Sequence, residues 1–252
     1  MKKMSAKELA KRYGLFIVSL FISALGVAVT KRGELGVSPI SSTANVMSMK
    51  FDSLSLGSWL IIWNCVLIAG QIILLRKNFQ AIQLLQVPLS FLFGIFTDIG
   101  MKIAALLPVS GYISRLTSVI CGTVILGFGI FLSVAANVIM NSGEAFVKAV
   151  SDISGKKFGD VKIMFDVSCV VIAAALSLFL FDMKIVGTRE GTVIAALFTG
   201  VCVKIFTRLF KDKTDALLTG SAVNKRTEKY AEKTQQDHSR SGVQPRQSSR
   251  DT

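Results

Sequence analysis

The chain has 252 residues, of which 51% are hydrophobic, and a formal net charge of +13. Its apolar residues form long blocks instead of the periodic stripes that a soluble core requires. A bilayer core of about 30 Å needs about 20 apolar residues per helix, and six blocks approach that length. They lie at 13–30, 58–75, 86–107, 116–140, 161–181 and 191–210. The composition therefore excludes an ordinary soluble domain and predicts a multi-pass membrane protein.

The blocks predict an all-α transmembrane bundle of six spans, or of five if one block lies at the membrane interface. Basic residues ahead of the first block resemble a signal peptide, but five further blocks favour an uncleaved helix. We expect a basic N-terminus at 1–12, membrane repeats at 13–107 and 108–210, and a disordered basic tail at 211–252.

Lysine and arginine are concentrated in the segments that a cytoplasmic N-terminus would place in the cytoplasm, including the short loop with Arg76 and Lys77. The positive-inside rule is strongest for short loops, so both termini are predicted to be cytoplasmic. The expected surroundings are the lipid bilayer, with anionic head groups at the basic ends. Because the charge excess lies at the ends, we exclude a nucleic-acid partner, and self-association stays open.

The two halves share one layout, a long span followed by a short polar segment and two further spans. Gly26 matches Gly129, Gly57 with Asn64 matches Gly159 with Asp166, and Gly94 matches Gly200, at spacings of 102 to 106 positions. Because each half has three spans, the second half must enter the membrane in the opposite sense. Inverted repeats of this kind recur in transporters that bind substrate between the halves, although they also occur in other membrane proteins.

A short capped helix is predicted after the first span of each half. Ser38 is a good N-cap and Pro39 suits the first helical position. In the second half, Asn141 or Ser142 caps a helix that Gly155 ends. A helix N-terminus inside a membrane protein is suited to binding an anion. The alternative is an amphipathic helix lying at the interface.

The Gly-Val-Ser-Pro element at 36–39, Gly57 at the next span, and the Gly-Thr pairs at 187–188 and 191–192 resemble the YczE/YyaS/YitT group of bacterial integral membrane proteins. The resemblance covers about residues 12–210 and implies a bacterial inner-membrane protein. It implies little about biochemistry. The second half departs from the pattern, with Asn-Ser-Gly-Glu at 141–144 where a second Gly-x-Ser-Pro is expected.

Ionisable residues within spans are costly and often mark function. We expect Asp98 to pair with Lys102, four positions on, or with Lys204 in the last span. The candidate substrate- or ion-binding residues share a place within the spans or at the short-helix caps, and they are Asp98, Asp166, Asn64, Ser38, Asn141, Ser142, Glu144 and Lys204. The alternative role for these charges is a structural clamp between helices.

Enzyme signatures are missing from the sequence. It has no nucleotide-binding glycine loop and no intramembrane-protease motif, and its one histidine, His238, lies in the tail. The cysteines, each inside an apolar block, have no metal-ligand spacing. We therefore expect no catalytic residues, no cofactor and no metal. The preferred function is a secondary transporter or permease of a small, anionic solute, and the alternative is a membrane scaffold or accessory protein in secretion or regulation.

Overall fold

The computed structural model describes residues 6–219, which form eight α-helices and no strand. In chain order these are α1 (Ala6–Arg32), α2 (Pro39–Lys50), α3 (Leu56–Leu75), α4 (Gln86–Ala105), α5 (Gly111–Ala136), α6 (Ser142–Ser154), α7 (Phe158–Leu180) and α8 (Glu190–Thr219). All except α2 and α6 are long and apolar enough to cross a membrane. The predicted all-α bundle is therefore confirmed, with six candidate spans.

Two predicted boundaries differ from the structure. The fourth span ends at Ala136 instead of continuing to residue 140, because Asn137 is left-handed (φ 48°) and terminates α5. Helix α8 continues to Thr219, so the disorder predicted from Lys211 is wrong over that stretch. Helix-forming residues without Pro or Gly explain the continuation. The rest of the predicted tail, 220–252, and residues 1–5 lie outside the described residues.

The chain divides into two compact units, Met1–Lys211 and Asp212–Thr252. The first unit contains all the contacts discussed below. Of the second unit, the structure describes only the last residues of α8.

Helices α1 and α5 pack together along a line of small residues, here called the α1–α5 seam. A Cβ on Gly26 would lie 2.5 Å from the backbone nitrogen of Leu126, so only glycine permits this approach. Residues later in α1 contact residues earlier in α5, so the two helices are antiparallel. The pairs along the seam are Phe16 with Ala136, Ser23 with Gly129, Gly26 with Leu126, and Gly33 with Val119.

The internal repeat is visible in the contacts of the short helices. Helix α2 packs against α7, and α6 packs against α3, so each short helix lies against the second span of the other half. Ser38 and Asn141, which precede the two short helices and are 103 positions apart, have nearly the same backbone angles. A pseudo-two-fold axis between α1 and α5 therefore relates the halves. Beyond the seam, Glu34 and Asn137, also 103 positions apart, are both left-handed, with φ 56° and 48°. The two halves are thus inverted relative to each other, as the sequence predicts.

The spans alternate in direction between two ends of the bundle, here called the Arg12 side and the Arg32 side. On the Arg32 side, Arg32 donates to the carbonyl of Leu107 just beyond α4, and Arg115 near the start of α5 forms an ion pair with Glu34. On the Arg12 side, Arg12 donates to the carbonyl of Ala136 at the end of α5. Helix α8 begins on the Arg32 side, where the Gly191 N–H donates to the carbonyl of Leu35.

The first prediction concerns the α1–α5 seam. Replacing Gly26 with Ala inserts a methyl group against the backbone of α5 and is expected to destabilise the protein by about 1–3 kcal/mol, as overpacking does. Thermal unfolding of purified protein in detergent measures the effect. Gly14→Ala on the same helix is the control, because nothing lies within 4 Å of that position among the described residues. Equal effects of the two variants would contradict close packing at the seam.

Candidate functional site

The two short helices begin at the same place in the bundle. Ser38 and Asn141 occupy the N-cap positions with nearly identical backbones (φ −58°, ψ 149° and φ −58°, ψ 151°). A Cβ on Gly143 would lie 2.9 Å from Cδ1 of Ile40. Since Ile40 and Gly143 are 103 positions apart, this contact lies on the pseudo-two-fold axis. The N-termini of α2 and α6 therefore meet between the halves, and we call this place the helix-start junction.

Helix α2 is embedded among the spans. Ser41, Ser42, Thr43 and Asn45 are all at most 5% exposed. Such burial on every side of its first turns does not fit a helix lying at the interface, so the re-entrant interpretation is the one the fold supports. The hydroxyl of Ser38 donates to that of Ser41 over 3.0 Å and caps no backbone N–H.

Hydrogen bonds give the direction of α2. Near its start, the Ser42 hydroxyl lies 3.4 Å from the Cys169 carbonyl, halfway along α7. Further on, Asn45 Nδ2 donates to the Gly187 carbonyl over 2.7 Å. At its end, the Lys50 ammonium lies 5.3 Å from the centre of the Phe181 ring. Helix α2 therefore runs from the helix-start junction back to the Arg32 side.

Ser142, at the start of α6, belongs to a buried amide cluster that sequence reasoning missed. Gln71 and Gln86 exchange side-chain hydrogen bonds of 3.1 and 3.2 Å. Gln71 also donates to the Ser142 carbonyl over 3.0 Å, and the Ser90 and Ser142 hydroxyls are 3.1 Å apart. The cluster joins α3, α4 and α6. Its only signal in the sequence is two glutamines at or within apolar blocks. An uncharged amide in a span is a weaker indication of function than a charged side chain, so the cluster was not predicted.

Three charged residues lie beside the start of α6. Lys162 and Asp166, one turn apart on α7, form an ion pair. Glu144, in the first turn of α6, interacts electrostatically with both of them. Desolvation raises the pKa of Glu144 above its usual value, the nearby Lys162 ammonium lowers it, the Asp166 carboxylate raises it, and a hydrogen bond with the Asn141 side chain lowers it. The net elevation favours a protonated, neutral Glu144.

Asp98 does not pair with Lys102 or Lys204, so that part of the sequence prediction is wrong. Its Oδ2 accepts a hydrogen bond from the Ser55 hydroxyl over 2.6 Å, and its Oδ1 accepts one from the Gly57 N–H over 2.9 Å. These donors lie at the first turn of α3, where unpaired N–H groups and the positive end of the helix dipole satisfy a carboxylate. Asp98 thus ties α4 to the start of α3 on the Arg32 side.

The other candidates separate into two groups. Ser38, Asn141, Ser142, Glu144 and Asp166 come together at or beside the helix-start junction. Asn64 lies half-buried on α3, and Lys204 is exposed on α8. The structure therefore brings five of the eight predicted residues into one region, and Asp98 and Lys204 lie elsewhere in the bundle.

The second prediction follows from Glu144. A carboxyl whose pKa is raised in the folded state binds more protons there than in the unfolded chain, so stability falls as the pH rises from about 4.5 through the raised pKa. We expect the apparent Tm of the wild type to fall over that range. Glu144→Gln should reduce this decrease of the Tm with rising pH, because the variant has no carboxyl to titrate at that position.

Asp152→Asn is the matched control for Glu144, because Asp152 lies on the same helix in an exposed ion pair with Lys148. It should leave the slope of Tm against pH as in the wild type. Thermal unfolding in a buffer series measures both variants. An unchanged slope in Glu144→Gln would show that Glu144 does not titrate in this way.

The third prediction concerns the amide cluster. Gln71→Leu leaves the Gln86 amide and the Ser142 carbonyl without their buried partner, which costs about 1–3 kcal/mol per unsatisfied group. The double variant Gln71→Leu/Gln86→Leu removes both amides and should recover part of the loss. Thermal unfolding of the wild type, the single variants Gln71→Leu and Gln86→Leu, and the double variant gives the comparison. If the double variant lost as much stability as the two single variants lose together, or more, the mutual bonding of the amides would be contradicted.

Comparison with known proteins places the chain in a family. The model of DUF6198, described as a family of unknown function, matches residues 10–208. That interval holds the α1–α5 seam, both short helices and most of α8, and the match does not name the YczE/YyaS/YitT group. No curated protein and no solved structure matched. The chain therefore belongs to the DUF6198 family, and its six apolar helices make it a multi-pass integral membrane protein.

Proposed function

We propose that this protein is a secondary transporter or permease of a small anionic solute, which binds at the helix-start junction. The observation that carries the proposal is the meeting of two helix N-termini, at Ile40 and Gly143, on the axis between inverted halves. Each N-terminus presents free N–H groups and about half a positive charge. Two such ends at one point favour an anion.

The side chains beside the junction are consistent with an anionic ligand. Lys162 and Asp166 neutralise each other. Desolvation disfavours the charged form of Glu144, which reduces the repulsion between that carboxyl and an anion at the helix ends. The hydroxyls of Ser38 and Ser142 and the amide of Asn141 are bonded to neighbouring side chains. An anion would replace those neutral partners without any change in the charge of the protein. Asp98 is assigned a structural role in this proposal, because its two oxygens already accept hydrogen bonds from α3.

The location proposed is a bacterial inner membrane, with both termini cytoplasmic. The Arg12 side carries the start of α1 and the Arg76–Asn78 turn, and Lys156 and Lys157 lie ahead of α7 on the same side. The positive-inside rule places such a side in the cytoplasm. We also propose kinship with the YczE/YyaS/YitT group, since its Gly-Val-Ser-Pro element forms the turn before α2 and supplies the N-cap and first residues of that helix here. An enzymatic role is not proposed.

The test is a ligand screen followed by a flux assay. Purified protein is heated with small carboxylates, phosphate or sulfate, because a ligand bound only by the folded state raises the Tm. We expect a subset of these anions to do so and to enter proteoliposomes. Ser142→Val at the junction should abolish the shift, and Ser168→Val should keep it, since Ser168 is exposed on α7.

A truncation after Thr219 separates the two functional classes. The cut must follow Thr219, because α8 continues to that residue. Transport should survive removal of 220–252, whereas a scaffold that docks through its basic tail would lose function. No thermal shift with any anion, together with loss of the cellular phenotype on truncation, would overturn the transporter proposal in favour of a scaffold.

A further inference from the structure

The two halves differ where their last two spans meet. In the first half, α3 and α4 are in close contact on the Arg32 side. A Cβ on Gly94 would lie 2.7 Å from the Gly57 carbonyl oxygen and 2.5 Å from Ile61. Asp98, one turn further along α4, accepts hydrogen bonds from Ser55 and Gly57. The α3–α4 pair is therefore closed at this end by glycine contact and by a carboxylate clamp.

The counterpart positions in the second half are open. Gly159 is the repeat mate of Gly57, 102 positions on, and Gly200 is that of Gly94, 106 positions on. Nothing in the described part of the chain lies within 4 Å of where a Cβ on either glycine would be. Helices α3 and α4 are thus in close contact on the Arg32 side, whereas α7 and α8 have no equivalent glycine contact on the Arg12 side among the described residues.

Charges at the open pair are complementary. Asp160 in the first turn of α7 is the repeat mate of Ser58, and Lys204 on α8 is that of Asp98. Both residues are exposed, and neither is in an ion pair among residues 6–219. In the first half the carboxylate is on the last span, whereas here the carboxylate is at the helix start and the last span carries the cation. Lys157, at the N-cap of α7, carries a like charge and limits how tightly Lys204 is held there.

We propose that the protein has a second state in which α8 closes on α7, with Gly200 against Gly159 and Lys204 paired with Asp160. This inference rests on the proposed transport function, because inverted halves that exchange conformations expose a central site to one side and then to the other. Closure of α7 on α8 accompanies release of the Asp98 clamp. Lys204 and Asp160 are positioning residues for this gate, and the solute does not touch them.

Disulfide trapping tests the closure. The native cysteines, Cys65, Cys121, Cys169 and Cys202, are replaced with Ala. Gly159→Cys/Gly200→Cys is then oxidised in native membranes, and a protease site in the α7–α8 loop reveals whether the fragments remain joined. Because a disulfide needs Cα atoms within about 7 Å, the pair should cross-link at least about tenfold faster than a distant pair.

The matched distant pair is Phe179→Cys/Gly200→Cys. Phe179 is 85% exposed near the other end of α7, so it reports chance collisions on the same helices. Equal rates for the two pairs would overturn the closure. If the glycine variants fail to fold, spin labels at Ile163→Cys and Val201→Cys, both exposed, give the same answer. Two separations are expected between these labels, and a single one contradicts the second state.

Charge reversal tests the pairing. In the trapping background, Lys204→Glu should slow cross-linking, and adding Asp160→Lys should restore it. An unchanged rate in both would show that these residues do not hold the gate. No solute is needed, so the outcome is independent of the transport assay. If the pair cross-links but no anion raises the Tm or enters proteoliposomes, the gate is retained and the transport proposal fails. If an anion is transported but the pair does not cross-link, the transport proposal is retained and the gate fails.

Discussion

The α1–α5 seam is the contact on which the rest of the bundle depends. Lipid supplies no hydrophobic drive between helices, so small residues that let two backbones approach provide the packing energy. Gly26 and Gly129 supply that approach at equivalent points on either side of the axis. Because the helices are antiparallel, the segments that follow α1 and α5 emerge at opposite ends of the bundle. The inversion of the second half thus follows from one helix pair.

Each emerging segment then turns back toward the axis. Glu34 and Asn137 adopt left-handed backbones just after the two seam helices, and the N-caps Ser38 and Asn141 follow four residues later in each case. Returning chain inside a membrane protein must bury its polar backbone against protein, and here α2 lies against α7 while α6 lies against α3. Symmetry about the seam therefore brings the N-termini of α2 and α6 to one place. Each half contributes one of the two N-termini, so neither half alone would form this junction.

Features set by short stretches of sequence were predictable. Block length gave the six spans, the Ser-Pro and Gly signals gave the caps, and the constant spacing of glycines gave the repeat. The partners of particular side chains were not predictable in this way. Asp98 and Lys102 share a helix face, yet Asp98 is bound by the start of α3, because a helix N-terminus offers two donors in fixed geometry. The Gln71–Gln86 pair depends on how α3 returns into α4, which no periodicity encodes.

The cost of intramembrane charge explains why the predicted ionisable residues have such different surroundings. Asp98 is satisfied by two donors of its own, and Asp166 has Lys162 on the same helix. Glu144 differs, since it has no ion-pair partner of its own among the described residues, and its charged form is disfavoured by desolvation. A protein that needed only stability would place an apolar residue there. Glu144 is also the carboxyl in the first turn of α6, beside the two converging helix N-termini, whose positive ends partly offset a negative charge there.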